Sequence, residues 1–242
     1  MQAIKTVNLT KKYKETVAVN DLNLQVESGK IFALLGVNGA GKTTLIKTLT
    51  CLTKPTKGDA FVLGKSVLTE TQAVKQVIGV SPQETAIAPN LTVKENLELI
   101  CGIYGFDKEK KVAKIEELSA RFGLNKVLLK KAGNLSGGWK RRVSIAMALV
   151  SEPKILFLDE PSLGLDVLAR SELWEEIRAL KGKVTLILTT HYLEEAQALA
   201  DEIGIMKDGE LLIVGTPERI MQKTATDSFE KAFISIVKGG EL

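Results

Sequence analysis

Gly36–Thr43 reads GVNGAGKT and directly follows the apolar run Phe32–Leu35. It fits the pattern GxxxxGK[ST] at every fixed position, and a helix-forming run, Thr44–Leu49, comes next. The glycines let backbone N–H groups face an anion at a helix N-terminus, so the stretch predicts a phosphate-binding loop. Lys42 is expected to contact the β- and γ-phosphates, and the Thr43 hydroxyl to bind Mg²⁺. The alternative is a glycine-rich turn with a chance lysine, which the flanking pattern disfavours.

A second stretch, Ile155–Glu160, reads ILFLDE and is an apolar run that ends in two carboxylates. Adjacent acids at a strand end cost desolvation unless a cation or a reaction uses them. Asp159 is therefore predicted to hold Mg²⁺, and Glu160 to act as general base on a water in line with the γ-phosphate. The alternative is an ordinary strand exit with solvated acids. ATP and Mg²⁺ are the ligands that the two stretches together predict.

The pattern of apolar residues predicts an α/β fold. The short runs Phe32–Leu35, Ile155–Leu158 and Val184–Leu188 are typical of buried strands in a mostly parallel sheet. About the first 30 residues alternate partially, which indicates an N-terminal antiparallel β subdomain. From about Glu84 to Val150 the spacing is helical, which predicts an α-helical lobe inserted into the core.

One domain is expected over residues 1–242. Its α/β catalytic core is predicted at 1–83 and 151–215, its helical lobe at 84–150, and a C-terminal helical tail at 216–242. Within the lobe, Thr92–Glu95 has the form of a capping box, and Gly123 fits the end of a second helix. Ile203–Val214 is predicted to form a hairpin, and Thr216 with Pro217 to start the tail.

Bulk properties exclude several classes of protein. The chain of 242 residues has a net charge of +4, and its basic residues form no dense block, so no nucleic-acid partner is expected. Cys51 and Cys101 stand far apart and are predicted to be reduced, buried and structural. Met1–Thr10 lacks the pattern of a signal peptide, and no run is long enough to span a membrane. Any membrane role is therefore expected to come through a partner.

The stretch Leu135–Arg142, LSGGWKRR, resembles the LSGGQ signature of ABC transporter ATP-binding subunits and stands upstream of the acidic strand, as in that family. Within it, the Ser136 side chain is predicted to cap a helix whose body is Lys140–Val150. Other motifs of the family follow in its order. Ser81–Gln83 resembles the Q-loop, Ser162–Asp166 the D-loop, and His191, the single histidine, the switch histidine. Tyr13 resembles the aromatic residue that stacks on adenine. The resemblance covers most of the chain.

The resemblance implies a set of site residues. Catalytic roles fall to Glu160, His191 and Gln83, and metal binding to Thr43, Gln83 and Asp159. Contacts to ATP are implied for Tyr13, Gly36, Asn38, Gly39, Gly41, Lys42, Thr43 and Thr44. Contacts across a dimer are implied for the signature residues Ser136, Gly137 and Gly138 and the D-loop residue Asp166.

Each of these residues has a plainer interpretation as well. His191 could be a structural histidine, Gln83 an ordinary loop residue, and Tyr13 a core aromatic. Asp166 could be a helix N-cap, alone or in addition to its D-loop role. Trp139 departs from the family, which usually has Gln at this position, and this puts in doubt a Gln-mediated contact to the nucleotide sugar.

The family mechanism implies two kinds of partner. A second ATP-binding subunit, identical or different, would pack head to tail and trap ATP, and a separate membrane permease would dock near Glu84–Leu91 on the cytoplasmic face of the membrane. The segments Gln83–Leu97 and Glu160–Asp166 look like the branch that serves drug, polysaccharide or sodium export. The alternatives are a soluble ABC ATPase without a transport role and a nucleotide-dependent regulator that does not hydrolyse ATP.

Overall fold

The computed structural model describes residues 1–239 and divides into two compact units. The first unit contains Met1–Lys75 and the chain from Lys181 onward, and the second contains Gln76–Leu180. The strands are β1 Gln2–Tyr13, β2 Thr16–Leu22, β3 Gln25–Glu27, β4 Ile31–Leu35, β5 Lys57–Val62, β6 Lys65–Ser66, β7 Ile78–Ser81, β8 Ile155–Asp159, β9 Thr185–Thr190, β10 Glu202–Lys207 and β11 Glu210–Gly215.

The structure also contains helices. They are α1 Lys42–Leu49, α2 Thr71–Lys75, α3 Val93–Ile103, α4 Lys108–Arg121, α5 Gly137–Leu149, α6 Val167–Arg178, α7 Leu193–Leu199, α8 Pro217–Lys223 and α9 Phe229–Lys238. Within residues 1–239, no helix combines the length and the apolar character that crossing a bilayer requires.

The first unit contains two groups of strands. Strands β2, β1, β5 and β6 lie side by side and antiparallel, with β3 also paired to β1. Strands β10, β4 and β9 are parallel, and β11 pairs with β10 as a hairpin. The predicted antiparallel N-terminal strands and the predicted hairpin are confirmed.

Strands β4 and β9 are buried at every position, which explains why polar and apolar residues do not alternate along them. In their parallel register, Leu35 lies opposite Thr190, so both strands end at the same edge. The phosphate loop follows one of them and His191 follows the other.

The second unit is mostly helical. Its strands β7 and β8 are parallel, with Ser81 opposite Leu158, and helices α3 to α6 supply the rest. The capping box at Thr92 is present, because the Thr92 and Glu95 side chains each bond the other residue's backbone N–H. Gly123 has a left-handed backbone with φ 63° just after α4, as predicted for a helix end.

Three local predictions need correction. Helix α5 begins at Gly137, not Lys140, and α1 begins at Lys42 rather than Thr44. Glycine is a poor helix former, so Gly137 and Gly138 did not predict the first turn of α5. Cys101 is buried as predicted, but Cys51 is only partly buried, because it follows α1 in a left-handed conformation at the surface.

The C-terminal tail is helical as predicted. Thr216 caps α8 by accepting a hydrogen bond from the Arg219 N–H, and Pro217 occupies the first turn. Helix α9 buries Phe229 and Ile236 on one face. The last three residues of the predicted tail, 240–242, lie outside the described residues.

Candidate nucleotide-binding site

The phosphate loop joins β4 to α1, and its backbone conformation requires glycine at Gly41. Gly41 has φ 100°, and a Cβ at this position would lie 2.2 Å from the Ala18 carbonyl oxygen on β2. Only a residue without a side chain fits both the conformation and the close approach. The loop therefore reaches the N-terminus of α1 with its backbone N–H groups available to an anion.

Lys42 opens α1 and is 6% exposed. Its Nζ donates to the carbonyl oxygen of Gly36 at 2.7 Å and to that of Val37 at 3.2 Å. These bonds hold the ammonium group over the loop, where it can meet phosphate oxygens. Thr43 and Thr44 follow in the first helical turn, and Asn38 and Gly39 lie exposed in the loop.

Backbone groups from distant segments support the phosphate loop. The Gly209 N–H, in the turn between β10 and β11, donates to the Ala40 carbonyl oxygen at 3.1 Å. The Gly36 N–H donates to the Thr190 carbonyl oxygen at 3.4 Å. His191 is the next residue, and its ring lies 4.1 Å from that of Tyr192, centroid to centroid. The structure thus brings His191 and the start of the loop together.

Tyr13 ends β1 and is 44% exposed, which is inconsistent with a core aromatic. The Lys11 ammonium lies 4.8 Å from its ring centroid. Its strand pairs with β2, which also carries Ala18 beside Gly41. An exposed ring in the same unit as the phosphate loop is available for stacking.

In the second unit, Asp159 is the last residue of β8 and Glu160 is the next residue. Both are charged residues with little exposure, at 4% and 6%. Glu160 also has φ 50°, a left-handed conformation that costs a non-glycine residue about 1–3 kcal/mol. Two buried acids, one of them on a strained backbone, are typical of a functional site rather than a solvated strand exit.

Gln83 lies just after β7, beside the end of β8, so it shares a sheet edge with Asp159 and Glu160. Its side chain is exposed, but its carbonyl oxygen accepts a hydrogen bond from Arg141 Nη2 at 2.8 Å. Arg141 belongs to α5, the helix that follows the signature. The structure therefore links the Q-loop and the signature helix through this arginine.

The signature residues lie at the N-terminus of α5. Ser136 is the N-cap by position and is exposed, yet its side chain makes no capping hydrogen bond in the described structure. Gly137 and Gly138 form the first turn. The predicted side-chain cap is therefore wrong, because the Ser136 hydroxyl does not bond the backbone N–H groups of the first turn.

Trp139 packs on a charged cluster. The Arg142 guanidinium lies 5.0 Å from its ring centroid. The same guanidinium pairs with Glu172 at 2.5 Å and with Glu176 at 3.4 Å, both on α6. Burial raises the pKa of Glu176 to about 7, and the charges of Glu172 and Glu175 act in the same direction against Arg142.

Asp166 is the N-cap of α6, and its carboxylate accepts a hydrogen bond from the Ala169 N–H at 2.9 Å. The N-cap interpretation of this residue is confirmed. The D-loop role stays a prediction.

The residues proposed to bind the metal suit Mg²⁺. Thr43, Gln83 and Asp159 offer a hydroxyl, an amide oxygen and a carboxylate, which are the hard oxygen ligands that Mg²⁺ prefers beside phosphates. Among residues 1–239, no group of three or more His, Cys, Asp or Glu side chains forms a metal site. A site that depends on substrate phosphates needs no such group.

Comparison with known families identifies the class of protein. The sequence profile described as ABC transporter matches residues 19–163, which is more than half of the chain. The chain belongs to the ABC transporter family.

The chain is similar to several named ATP-binding proteins. The chain is 38% identical over 240 residues to the probable multidrug ABC transporter ATP-binding protein YbhF of Escherichia coli K12. It is 38% identical to the daunorubicin resistance ATP-binding protein DrrA3 of Streptomyces coeruleorubidus and to the Nod factor export ATP-binding protein I of Burkholderia lata. The alignments cover 97%, 94% and 89% of this chain, and 41%, 72% and 71% of the respective relatives. The chain thus spans about two fifths of the length of YbhF.

Solved structures agree with this assignment. An ATP-binding subunit of an ABC transporter superposes with a TM-score of 0.86 at 27% identity, over 97% of this chain and 99% of that chain. The dimeric, post-hydrolysis cassette MJ0796 bound to ADP and Pi gives 0.80 at 28%, over 88% and 98%. The predicted α/β fold class is confirmed, and so is the recognition of the chain as an ABC transporter ATP-binding subunit.

Sequence reasoning missed two residues beside the site, Arg141 and Asn96. Arg141 was included in the signature stretch without a role, and Asn96 was not singled out. The carbonyl groups that Arg141 bonds lie 59 and 58 residues before it in the sequence. Those that Asn96 bonds lie 4 and 8 residues before it. For Asn96, the available signal was a polar residue three positions after Val93, on the predicted apolar face of a helix.

Proposed function

We propose that this chain is the ATP-binding and ATP-hydrolysing subunit of an ABC exporter and that it drives a separate membrane permease. The proposal is carried by Glu160, a buried carboxylate held in a left-handed conformation directly after the buried strand β8. A base in such a position is fixed before substrate arrives, so little reorganisation is needed in the reaction. Membership of the family and the names of the relatives support the same function.

ATP binding would rest on the phosphate loop. The backbone of Gly36–Thr43 cradles the β-phosphate, and Lys42 neutralises charge on the β- and γ-phosphates. Thr44 adds a contact from the first turn of α1, and Tyr13 stacks on adenine. Because the loop N–H groups are already oriented, binding requires little ordering of the chain.

Hydrolysis would depend on Glu160 and His191 as catalytic residues. Glu160 accepts a proton from the attacking water, and His191 contacts the γ-phosphate. Thr43, Asp159 and Gln83 would hold Mg²⁺, which neutralises charge on the phosphates when it is bound. The residues themselves position the nucleotide and remove the proton.

A second ATP-binding subunit would complete the site. Ser136, Gly137 and Gly138 would contact the nucleotide held by the other subunit, and Asp166 would contribute at the dimer interface. The exposed Ser136 hydroxyl, which makes no capping bond in the described structure, supports this role. Trp139 would pack on Arg142 in place of a Gln contact to the sugar.

The permease would dock on Glu84–Leu91 in a helical lobe at 84–150, and residues 1–83 and 151–215 would form the catalytic core. The chain would act on the cytoplasmic face of the membrane. The relatives named for multidrug transport, daunorubicin resistance and Nod factor export support an exporter. The permease would select the exported substrate.

Phosphate release by the wild type and by Glu160→Gln tests this function. The wild type is expected to hydrolyse ATP when Mg²⁺ is present. The variant is expected to lose about 100-fold or more in kcat while it retains ATP binding, because only the base is removed. Equal rates in the two proteins would refute the role of Glu160. No hydrolysis by the wild type, alone or with its permease, would refute the function itself.

A further inference from the structure

Buried side chains of α5 hold the residues that leave β7. Arg141 is 4% exposed, and its Nη1 donates to the Pro82 carbonyl oxygen at 2.6 Å. Its Nη2 donates to the Gln83 carbonyl oxygen at 2.8 Å. Three residues along the same helix, Ser144 shares a 2.8 Å hydrogen bond between hydroxyls with Ser81. Three successive residues are thus fixed by one face of the signature helix.

The far end of this loop is fixed by Asn96, which is fully buried on α3. Its Oδ1 accepts from the Ala88 N–H at 2.7 Å, and its Nδ2 donates to the carbonyl oxygens of Ala88 at 3.1 Å and Thr92 at 2.9 Å. The loop Gln83–Leu91 is therefore held at both ends by side chains. If the loop is displaced, Arg141 and Asn96, which are bonded to its ends, are expected to move with it.

We propose that Arg141 is a positioning residue that couples the loop Gln83–Leu91 to the signature helix. The inference rests on the proposed function, in which Gln83 serves the metal site and Ser136 serves the nucleotide of the second subunit. Through Arg141, a movement of the loop Gln83–Leu91 changes the position of Gln83 and of the N-terminus of α5 together. Docking of the permease is thereby linked to closure of the ATP site.

The chemistry of arginine suits this role. The guanidinium is planar and presents two N–H groups in a fixed fork, so it holds two successive carbonyl oxygens at once. Lysine keeps the charge but offers one ammonium group without that geometry. Arg141→Lys therefore removes the coupling with the smallest change in charge and volume.

The test compares Arg141→Lys with Arg121→Lys, the same substitution at the end of α4. Arg121 is exposed and pairs with Glu117 of its own helix at 3.4 Å. For Arg141→Lys we expect about a tenfold fall in kcat and about a tenfold rise in the Mg²⁺ concentration for half-maximal activity, the effect of losing one charge-assisted hydrogen bond. KM for ATP stays within about twofold, because the phosphate loop binds ATP. The control keeps the Mg²⁺ dependence of the wild type.

A double variant tests whether Arg141 acts through Gln83. If it does, Arg141→Lys adds little to the Mg²⁺ dependence of Gln83→Ala, so the two effects are not additive. Full additivity would overturn the proposal. A lower melting temperature for Arg141→Lys, with kcat and Mg²⁺ dependence equal to those of Arg121→Lys, would also overturn it and leave a structural role.

Failure of the proposed function can be distinguished from failure of the coupling through Arg141. If the wild type releases no phosphate, hydrogen exchange of residues 84–91 and 136–140 decides between the outcomes. Faster exchange of both segments in Arg141→Lys than in Arg121→Lys would support the coupling without any hydrolysis. Equal exchange in the two variants would refute it.

Discussion

The phosphate loop and the loop Gln83–Leu91 are both irregular segments that follow buried parallel strands, but they are held in different ways. Backbone groups support the phosphate loop, among them the Gly209 N–H and the Thr190 carbonyl oxygen. The second loop also accepts bonds from the Ala132 and Gly133 N–H groups, but the buried side chains of Arg141 and Asn96 hold its two ends. Backbone support depends on close approach of the chain, whereas side-chain support also depends on the identity of distant residues.

The largest effect is expected where the phosphate loop needs close approach. Gly41→Ala places a Cβ against the Ala18 carbonyl oxygen and strains a backbone with φ 100°. We expect a loss of about 3 kcal/mol in the free energy of unfolding and loss of measurable ATP binding, from steric overlap plus backbone strain. Urea denaturation and titration with a fluorescent ATP analogue measure these two effects.

The matched control is Gly64→Ala. Gly64 also has a left-handed backbone, with φ 80°, but nothing lies within 4 Å of its added Cβ. It is expected to lose only about 1 kcal/mol of stability and to retain ATP binding. Equal losses in the two variants would show that the close approach at Ala18 is unimportant.

A smaller effect is expected at the side-chain anchor of the second loop. Asn96→Asp keeps the size of the side chain and can accept from the Ala88 N–H, but it cannot donate to the Ala88 and Thr92 carbonyl oxygens. A buried carboxylate that faces two carbonyl oxygens costs about 2 kcal/mol in the free energy of unfolding. Urea denaturation of the variant measures this cost.

Hydrogen exchange gives the location of the Asn96 effect. Residues 84–91 are expected to exchange faster in Asn96→Asp, while the phosphate loop keeps its wild-type exchange. Faster exchange in both loops would contradict the separate support proposed for each.

The smallest effect concerns pH. Because burial raises the pKa of Glu176 from 4.5 to about 7, the folded protein holds a proton there that the unfolded chain releases between these values. The contribution of Glu176 to the free energy of unfolding therefore falls as pH rises from 4.5 to 7. Glu176→Gln removes this loss, so the variant is expected to be more stable than the wild type at pH 8 by about 1–2 kcal/mol.

Denaturation at a series of pH values measures the contribution of Glu176. The difference in stability between Glu176→Gln and the wild type is expected to grow from pH 4.5 to pH 7 and then to level off. A constant difference across this range would contradict the account of a buried, protonated carboxyl group.

The difference between the two loops also explains what the sequence could predict. The residues of the phosphate loop are contiguous, so the pattern at Gly36–Thr43 and the apolar run before it predicted both the strand and the loop. The acidic pair Asp159 and Glu160 was equally visible at the end of an apolar strand. The matched ABC transporter family confirms the interpretation at the level of the class.

The side-chain anchors were not predictable in the same way. Arg141 and its carbonyl partners lie 59 and 58 residues apart, and no spacing rule joins them. The left-handed conformation of Glu160 is also set by its surroundings, because glutamate has no preference for it. The start of α5 was missed because Gly137 and Gly138 have low helix propensity and tertiary packing overrides it.

ATP-dependent dimerisation of Glu160→Gln, followed by light scattering, shows whether two subunits close the ATP site together. If two subunits trap ATP between the phosphate loop of one and Ser136 of the other, the variant is monomeric with ADP and becomes a dimer with ATP and Mg²⁺. Adding Ser136→Ala to Glu160→Gln is expected to weaken that dimer. A variant that binds ATP at saturation and stays monomeric, with or without Gln in place of Trp139, would contradict the proposal that this chain closes its site through a second subunit.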